Sequence, residues 1–226
     1  MSASAKRRAW WSLLAAVSFA SVARAQPGLV DRAIVRFDAP ETGGALHPRF
    51  VFERELAFEA RLEALADAER AQAPYLDRHV RAALERHVAE ELLSHLAMDP
   101  EPRPDEIARR AENARAVLEQ RVGGPTELAR AAEAEGIDAA EIDVVVRREA
   151  RASLYLDRMV APMLEPSEAE LREVHRSTTN PFRGQRFEDA IAGLRKWYVG
   201  ERLEAALGSF YQNARGRVHL VVIPGA

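Results

Sequence analysis

The chain has 226 residues, 47% of them hydrophobic and 30% charged, with a formal net charge of −3 and no cysteine. That composition suits a globular chain long enough to bury a core. It excludes disulfides, thiolate metal sites and a cysteine nucleophile, and it supplies no broad positive field for nucleic acid or anionic lipid. Lys6, Arg7 and Arg8 precede an apolar stretch at residues 10–22, and Ala23-Arg24-Ala25 follows with small residues at the cleavage positions. This is the layout of a secretory signal peptide, with cleavage expected after Ala25. The apolar stretch is 13 residues long, short of the roughly 20 that span a bilayer. Arg7-Arg8 before Trp10-Trp11 also fits a twin-arginine signal, but that route serves cofactor proteins and no cofactor motif follows, so the general secretory route is preferred. The leader holds four basic residues and no acidic one, which leaves 28 basic against 35 acidic side chains, or −7, in residues 26–226. No second hydrophobic stretch is long enough to span a membrane, so residues 26–226 are expected to form one compact soluble domain.

Residues 30–37 (VDRAIVRF) are rich in β-branched side chains and predict one short strand, which Glu41-Thr42-Gly43-Gly44 breaks. Phe50, Leu56, Phe58, Leu62 and Leu65 recur at helical spacing, predicting a helix over 48–73 that Pro74 stops. A second helix is expected over 75–97, with Leu76, Val80, Leu84, Val88, Leu92 and Leu96 at i, i+4 and Leu93 beside them. After the rigid connector Asp99-Pro100-Glu101-Pro102-Arg103-Pro104, Asp105 and Glu106 open a thinly apolar helix to about Val122. Gly123-Gly124 ends it. Pro125 opens a short helix that Gly136 ends, and Asp138 caps the next, expected over 139–159. Ser167-Glu168-Ala169-Glu170 is a capping box opening a helix to about Ser177. A polar loop at 178–186 leads to a long helix over 187–214, with Gly216 suited to its C′ position. Residues 217–223 (RVHLVVI) read as a closing strand.

The expected fold is therefore mainly α: an orthogonal helical domain of six to seven helices, with a short two-stranded β pairing between the two ends of residues 26–226. A lone strand leaves its backbone groups unsatisfied, so 30–37 is expected to pair antiparallel with 218–223.

Residues that could carry chemistry are few. His87, Glu91 and His95 lie at i, i+4, i+8 on the second helix and form a weak candidate metal set. Successive i+4 steps drift by about 40°, so one ion suits two of the three, and an ordinary helix-surface pair accounts for them as well. His79 extends the spacing, while His47, His175 and His219 are isolated. Ser94 adjoins His95, but helix neighbours point about 100° apart. Neither Gly43-Gly44 nor Gly123-Gly124 has the G-K-[ST] continuation of a phosphate loop. The remaining carboxylates read as solvated helix faces. No catalytic constellation and no cofactor are expected. The aromatics are more suggestive. Trp197-Tyr198 and Phe210-Tyr211 are adjacent pairs, and neighbours cannot both face one core stripe. With Tyr155 they are either edge-of-core packing or a groove for apolar peptide segments.

The order of these segments resembles the SurA-type periplasmic chaperones and their parvulin-linked isomerase relatives. The family's opening V-D-R-x-x-A-x-V strand is similar to Val30-Asp31-Arg32-Ala33-Ile34-Val35, and its A-L-E-x-L-I-x-E-x-L-L helix to Ala83-Leu84-Glu85-Arg86-His87-Val88-Ala89-Glu90-Glu91-Leu92-Leu93. The E-L…G-I turn resembles Glu127-Leu128 through Gly136-Ile137. The family's S-E-x-E-L-R helix resembles Ser167-Glu168-Ala169-Glu170-Leu171-Arg172, and its closing F-E…L-R helix Phe187-Glu188 to Leu194-Arg195. Each motif is weak alone; their order covers nearly all of residues 26–226. Two departures stand out. Isomerase members carry a parvulin domain of roughly 90 residues between the last two helices, where this chain has nine, 178–186. Apart from 139–156, the helices are also poorer in large apolar residues than a strong client binder's.

The resemblance implies a trigger factor/SurA peptide-binding-like domain, periplasmic, acting without ATP and without isomerase activity. It implies unfolded or partly folded exported polypeptides as partners, or one dedicated partner protein if the chain is an assembly subunit. Tyr155, Trp197, Tyr198, Phe210 and Tyr211 would be the peptide-binding residues.

Overall fold

A computed structural model describes residues 31–68, 74–177 and 179–224, without the side chains of Tyr211 and Arg215. The expected signal peptide lies outside these residues. Strand β1 (Ala33–Asp38) is central in a three-stranded antiparallel sheet of order β2-β1-β3, flanked by β2 (Arg49–Phe52) and β3 (His219–Val222). The expected pairing of the two chain ends is present: Val35 faces Val222, Arg36 faces Val221, Phe37 faces Leu220 and Asp38 faces His219. Strand β2 corrects the reading of a helix from 48. Phe50 and Phe52 are exposed while Val51 between them is fully buried, the period-two alternation of a half-buried strand. Four residues are too few to separate that period from a helical one by sequence.

Helix α1 (Glu53–Ala66) follows β2 without a loop; the Glu53 N–H donates to the Arg32 carbonyl at 2.9 Å. The expected extension of this helix to 73 is not observed, since the backbone turns extended at Asp67. Then come α2 (Asp77–His95), α3 (Pro104–Val122), α4 (Pro125–Glu135) and α5 (Ala139–Tyr155). Gly123 and Gly136 close α3 and α4 at φ 100° and 67°, a left-handed conformation that costs glycine little. Asp138 and Glu141 cap α5 reciprocally: the Glu141 N–H donates to Asp138 Oδ1 at 2.9 Å and the Asp138 N–H to Glu141 Oε2 at 2.8 Å. Helix α5 stops short of the expected 159. A π turn (Leu156–Val160) and a 3₁₀ turn (Ala161–Leu164) replace its end, because Pro162 has no N–H to continue the α ladder. Helix α6 (Glu168–Arg176) opens on the predicted Ser167/Glu170 box. Helix α7 (Phe187–Arg215) has 29 residues, about 43 Å at 1.5 Å per residue. It ends without the left-handed glycine expected at Gly216, whose φ is −72°.

Two apolar cores form the body. Phe58, Leu62, Leu118, Val122, Leu128, Ile142, Val145 and Val146 join α1, α3, α4 and α5. Ile34, Val35, Phe37, Val51, Leu56, Ala83 and Leu84 join the sheet to α1 and α2. Each fully buried large side chain contributes about 1.5–3 kcal/mol. Helices α6 and α7 form an outlying hairpin with its own small interior, in which Leu171, Ala190 and Leu194 are buried. The far end of α7 returns to the body, where Ala214 is buried with Ala39 and Leu92 and Phe210 packs against them. Helix α7 thus carries the chain from the hairpin back to β3. Among the described residues no helix is long and apolar enough to cross a membrane.

Candidate functional site

The densest polar arrangement lies where α1, α2 and α5 meet, inside the body. On α1, Glu59 follows the apolar stripe of Leu56 and precedes Leu62. On α5, Arg148 stands between Val145 and Ala152. Both helices therefore place a charge on their core-facing side. Arg148 reaches three carboxylates: Nη1 donates to Glu55 Oε1 at 2.8 Å, Nη2 to Glu59 Oε1, and Nε to Glu90 Oε2 at 3.3 Å. His87 of α2 places Nδ1 3.1 Å from Glu59 Oε1 and 3.7 Å from Glu55 Oε1. The reading of all carboxylates as solvated faces is thereby corrected: Glu59, His87 and Arg148 are buried, Glu90 nearly so, and Glu55 is the outermost.

Burial alone raises a carboxylate's pKa. For Glu59, burial is outweighed by Arg148 and His87, and its pKa falls to about 2. Burial dominates at Glu90, only partly offset by Arg148 and reinforced by Glu59 and Glu149, so its pKa rises to about 7. Burial depresses the His87 imidazole, but Glu59 more than reverses this and raises it. Arg148 is held charged by the carboxylates it pairs despite its burial.

The weak metal set splits. His87 turns inward to Glu59, whereas Glu91 and His95 stay with Arg49: Glu91 Oε1 is 3.6 Å from Arg49 Nε and 3.8 Å from His95 Nδ1. A different trio, Glu55, Glu59 and His87, brings ligand atoms within 4.8 Å of one another. The Arg148 guanidinium already occupies the carboxylate oxygens of that trio, and a second cation there would face it at close range. The donor set fits an internal ion-pair network better than an ion.

The aromatic candidates also divide. Trp197 and Tyr198 lie together on α7, half-buried, with ring centroids 6.4 Å apart and tilted by 31°. The Arg202 guanidinium covers Tyr198 at 5.3 Å and donates to the Leu164 carbonyl at 3.2 Å; Arg195 Nη1 is 2.9 Å from Glu165 Oε2. These bonds hold the middle of α7 beside the 3₁₀ turn, where Met163 is 75% exposed. Phe210 sits 13 residues further along α7, about 20 Å by the helical rise, and belongs to the cluster of Ala39, Leu92 and Ala214. There it packs, partly buried, at the edge of that cluster. Tyr155 is half-buried at the end of α5, and the Tyr211 side chain is outside the described residues.

The buried charge cluster was missed in the sequence reading, although a signal existed. Glu59 and Arg148, of opposite sign, each occupy a core position of an amphipathic stripe, and buried charges need partners. No family model, curated protein or solved structure matches this chain.

Proposed function

We propose that the chain is an exported, ATP-independent, chaperone-like peptide-binding protein without isomerase activity, as the SurA-type resemblance implies. Supporting this reading are exposed apolar groups where α7 passes the 3₁₀ turn: Trp197 and Tyr198 are half-exposed on α7, Met163 is exposed on the turn, and Arg195 and Arg202 tie the two elements together through Glu165 and Leu164. A client's aliphatic and aromatic groups would gain up to about 1.5–3 kcal/mol each on full burial. Ordering a flexible client opposes that gain, so weak, reversible binding is expected. The test is suppression of aggregation of an unfolded outer-membrane protein by wild type and by a Trp197→Ala/Tyr198→Ala variant. Suppression by wild type that the double variant loses supports the reading. No suppression by wild type at tenfold excess removes it.

A second reading, a subunit that binds one dedicated partner, is favoured by the sheet. Phe50 and Val221 both stand opposite Arg36, and with Phe52 they are 43%, 40% and 39% exposed, apolar side chains flanking an arginine on one face. A Phe50→Ser/Val221→Ser variant that binds clients normally but loses a native partner would assign the sheet to that role.

A further inference from the structure

The charges at the junction of α1, α2 and α5 do not balance. Glu55, Glu59 and Glu90 converge on one guanidinium and one imidazole. The groups around them cancel: Arg86 pairs with Glu63, and Arg121 and Glu149 complete the ring facing Glu90 from α3 and α5. With His87 protonated, three carboxylates still face only two cations in a place largely closed to water. An uncompensated buried charge is costly, and such a group takes up a proton instead.

We propose that this junction is a proton-storing latch: the folded body binds one more proton there than the unfolded chain does, so α1, α2 and α5 lock together in mildly acidic medium and loosen above neutrality. Glu90 is the carboxyl that holds the proton. Glu59 takes Arg148 Nη2 and His87 together, and Glu55 takes Arg148 Nη1 while keeping contact with water, whereas Glu90 receives only the longer 3.3 Å bond from Arg148 Nε. Burial acts on Glu90 in the same direction. Because α5 runs directly into the turns that carry α6 and α7, loosening α5 also frees the hairpin. The proposal does not depend on the chaperone reading.

The sign is explicit. A carboxyl whose folded pKa lies above its unfolded value of about 4.3 adds stability at low pH and loses it as pH rises through the folded value. His87, also raised, acts the same way: its contribution is full below the ordinary imidazole value and is lost at higher pH. For Glu90, moving from pH 5.5 to pH 8 lowers the folding equilibrium constant on the order of 30-fold.

The experiment compares urea unfolding of wild type and Glu90→Gln at pH 5.5 and pH 8. Wild type minus variant cancels every titrating group that does not interact with Glu90. Glutamine keeps the shape and is uncharged in both states, so its stability advantage over wild type is expected to grow by roughly that 30-fold from pH 5.5 to pH 8. A ¹³C-carboxyl titration of wild type should place the Glu90 midpoint above pH 6, and it needs no variant to fold. A Glu90 midpoint below pH 5, or an unchanged pH dependence in a folded Glu90→Gln variant, overturns the proposal.

Discussion

The body and the α6–α7 hairpin are stabilised by different means. The body surrounds two apolar cores and places five ionisable side chains at the junction of three helices. The hairpin has little buried apolar material: Leu171, Ala190 and Leu194. It relies instead on local polar geometry. The Asn180 side-chain amide donates to the carbonyls of Val174, His175 and Ser177, closing the end of α6, and its oxygen accepts from the Phe182 N–H. The Phe182 ring then packs against Gly193 of α7, where a Cβ would come within 2.6 Å of it. The Phe187 ring meets His175 edge-on at 5.6 Å and carries the Arg172 guanidinium at 4.5 Å. Damage to the body should therefore be global and dependent on pH, and damage to the hairpin local and largely independent of it.

The largest effect is expected at Arg148. Arg148→Ala leaves Glu55, Glu59 and Glu90 without their shared cation and should cost about 3–5 kcal/mol, seen as a lowered urea midpoint for the whole domain. Removing residues 217–226 strips the β1–β3 ladder and the packing of Val218 and Leu220. About 3 kcal/mol should be lost, again globally, and an unchanged melting temperature would refute the structural role of the pairing.

Acid provides a finer probe. Because its pKa lies near 2 in the folded state, Glu59 contributes stability above its unfolded value, and that contribution disappears as pH falls from about 4.5 towards 2. Stability curves of wild type and Glu59→Gln should converge in that window, the wild type losing up to about 3 kcal/mol. Parallel curves would show that Glu59 is not held ionised by Arg148 and His87.

The hairpin should yield smaller, local losses. Gly193→Ala drives a methyl into Phe182 and should cost about 1–3 kcal/mol. Hydrogen exchange should quicken in α6 and the first half of α7 while α1–α5 stay protected; a global loss instead would mean that the hairpin and body unfold as one unit. Trp197→Ala/Tyr198→Ala, at a half-exposed surface, should cost least, about 1 kcal/mol or less, and so remains usable as a binding variant.

The elements whose signals are local were legible along the chain. Asp138 and Ser167/Glu170 announced two helix starts, Gly123 and Gly136 two helix ends, and the β-branched runs at either end of residues 30–223 a strand pairing, because each depends on bonds within a few residues or on a backbone that must be satisfied. Packing between distant segments set the rest. Residues 49–52 became a strand because β1 offered a second edge. Phe210 packs at the edge of a core cluster because Ala39 and Leu92 lie beside it. His87 turned from a surface imidazole into part of a buried cluster because Glu59 and Arg148, 28 residues before it and 61 after it, were brought against it. Spacing along one helix fixes which face a side chain shares, but only the packing of α1, α2 and α5 determines whether that face meets water or an opposite charge.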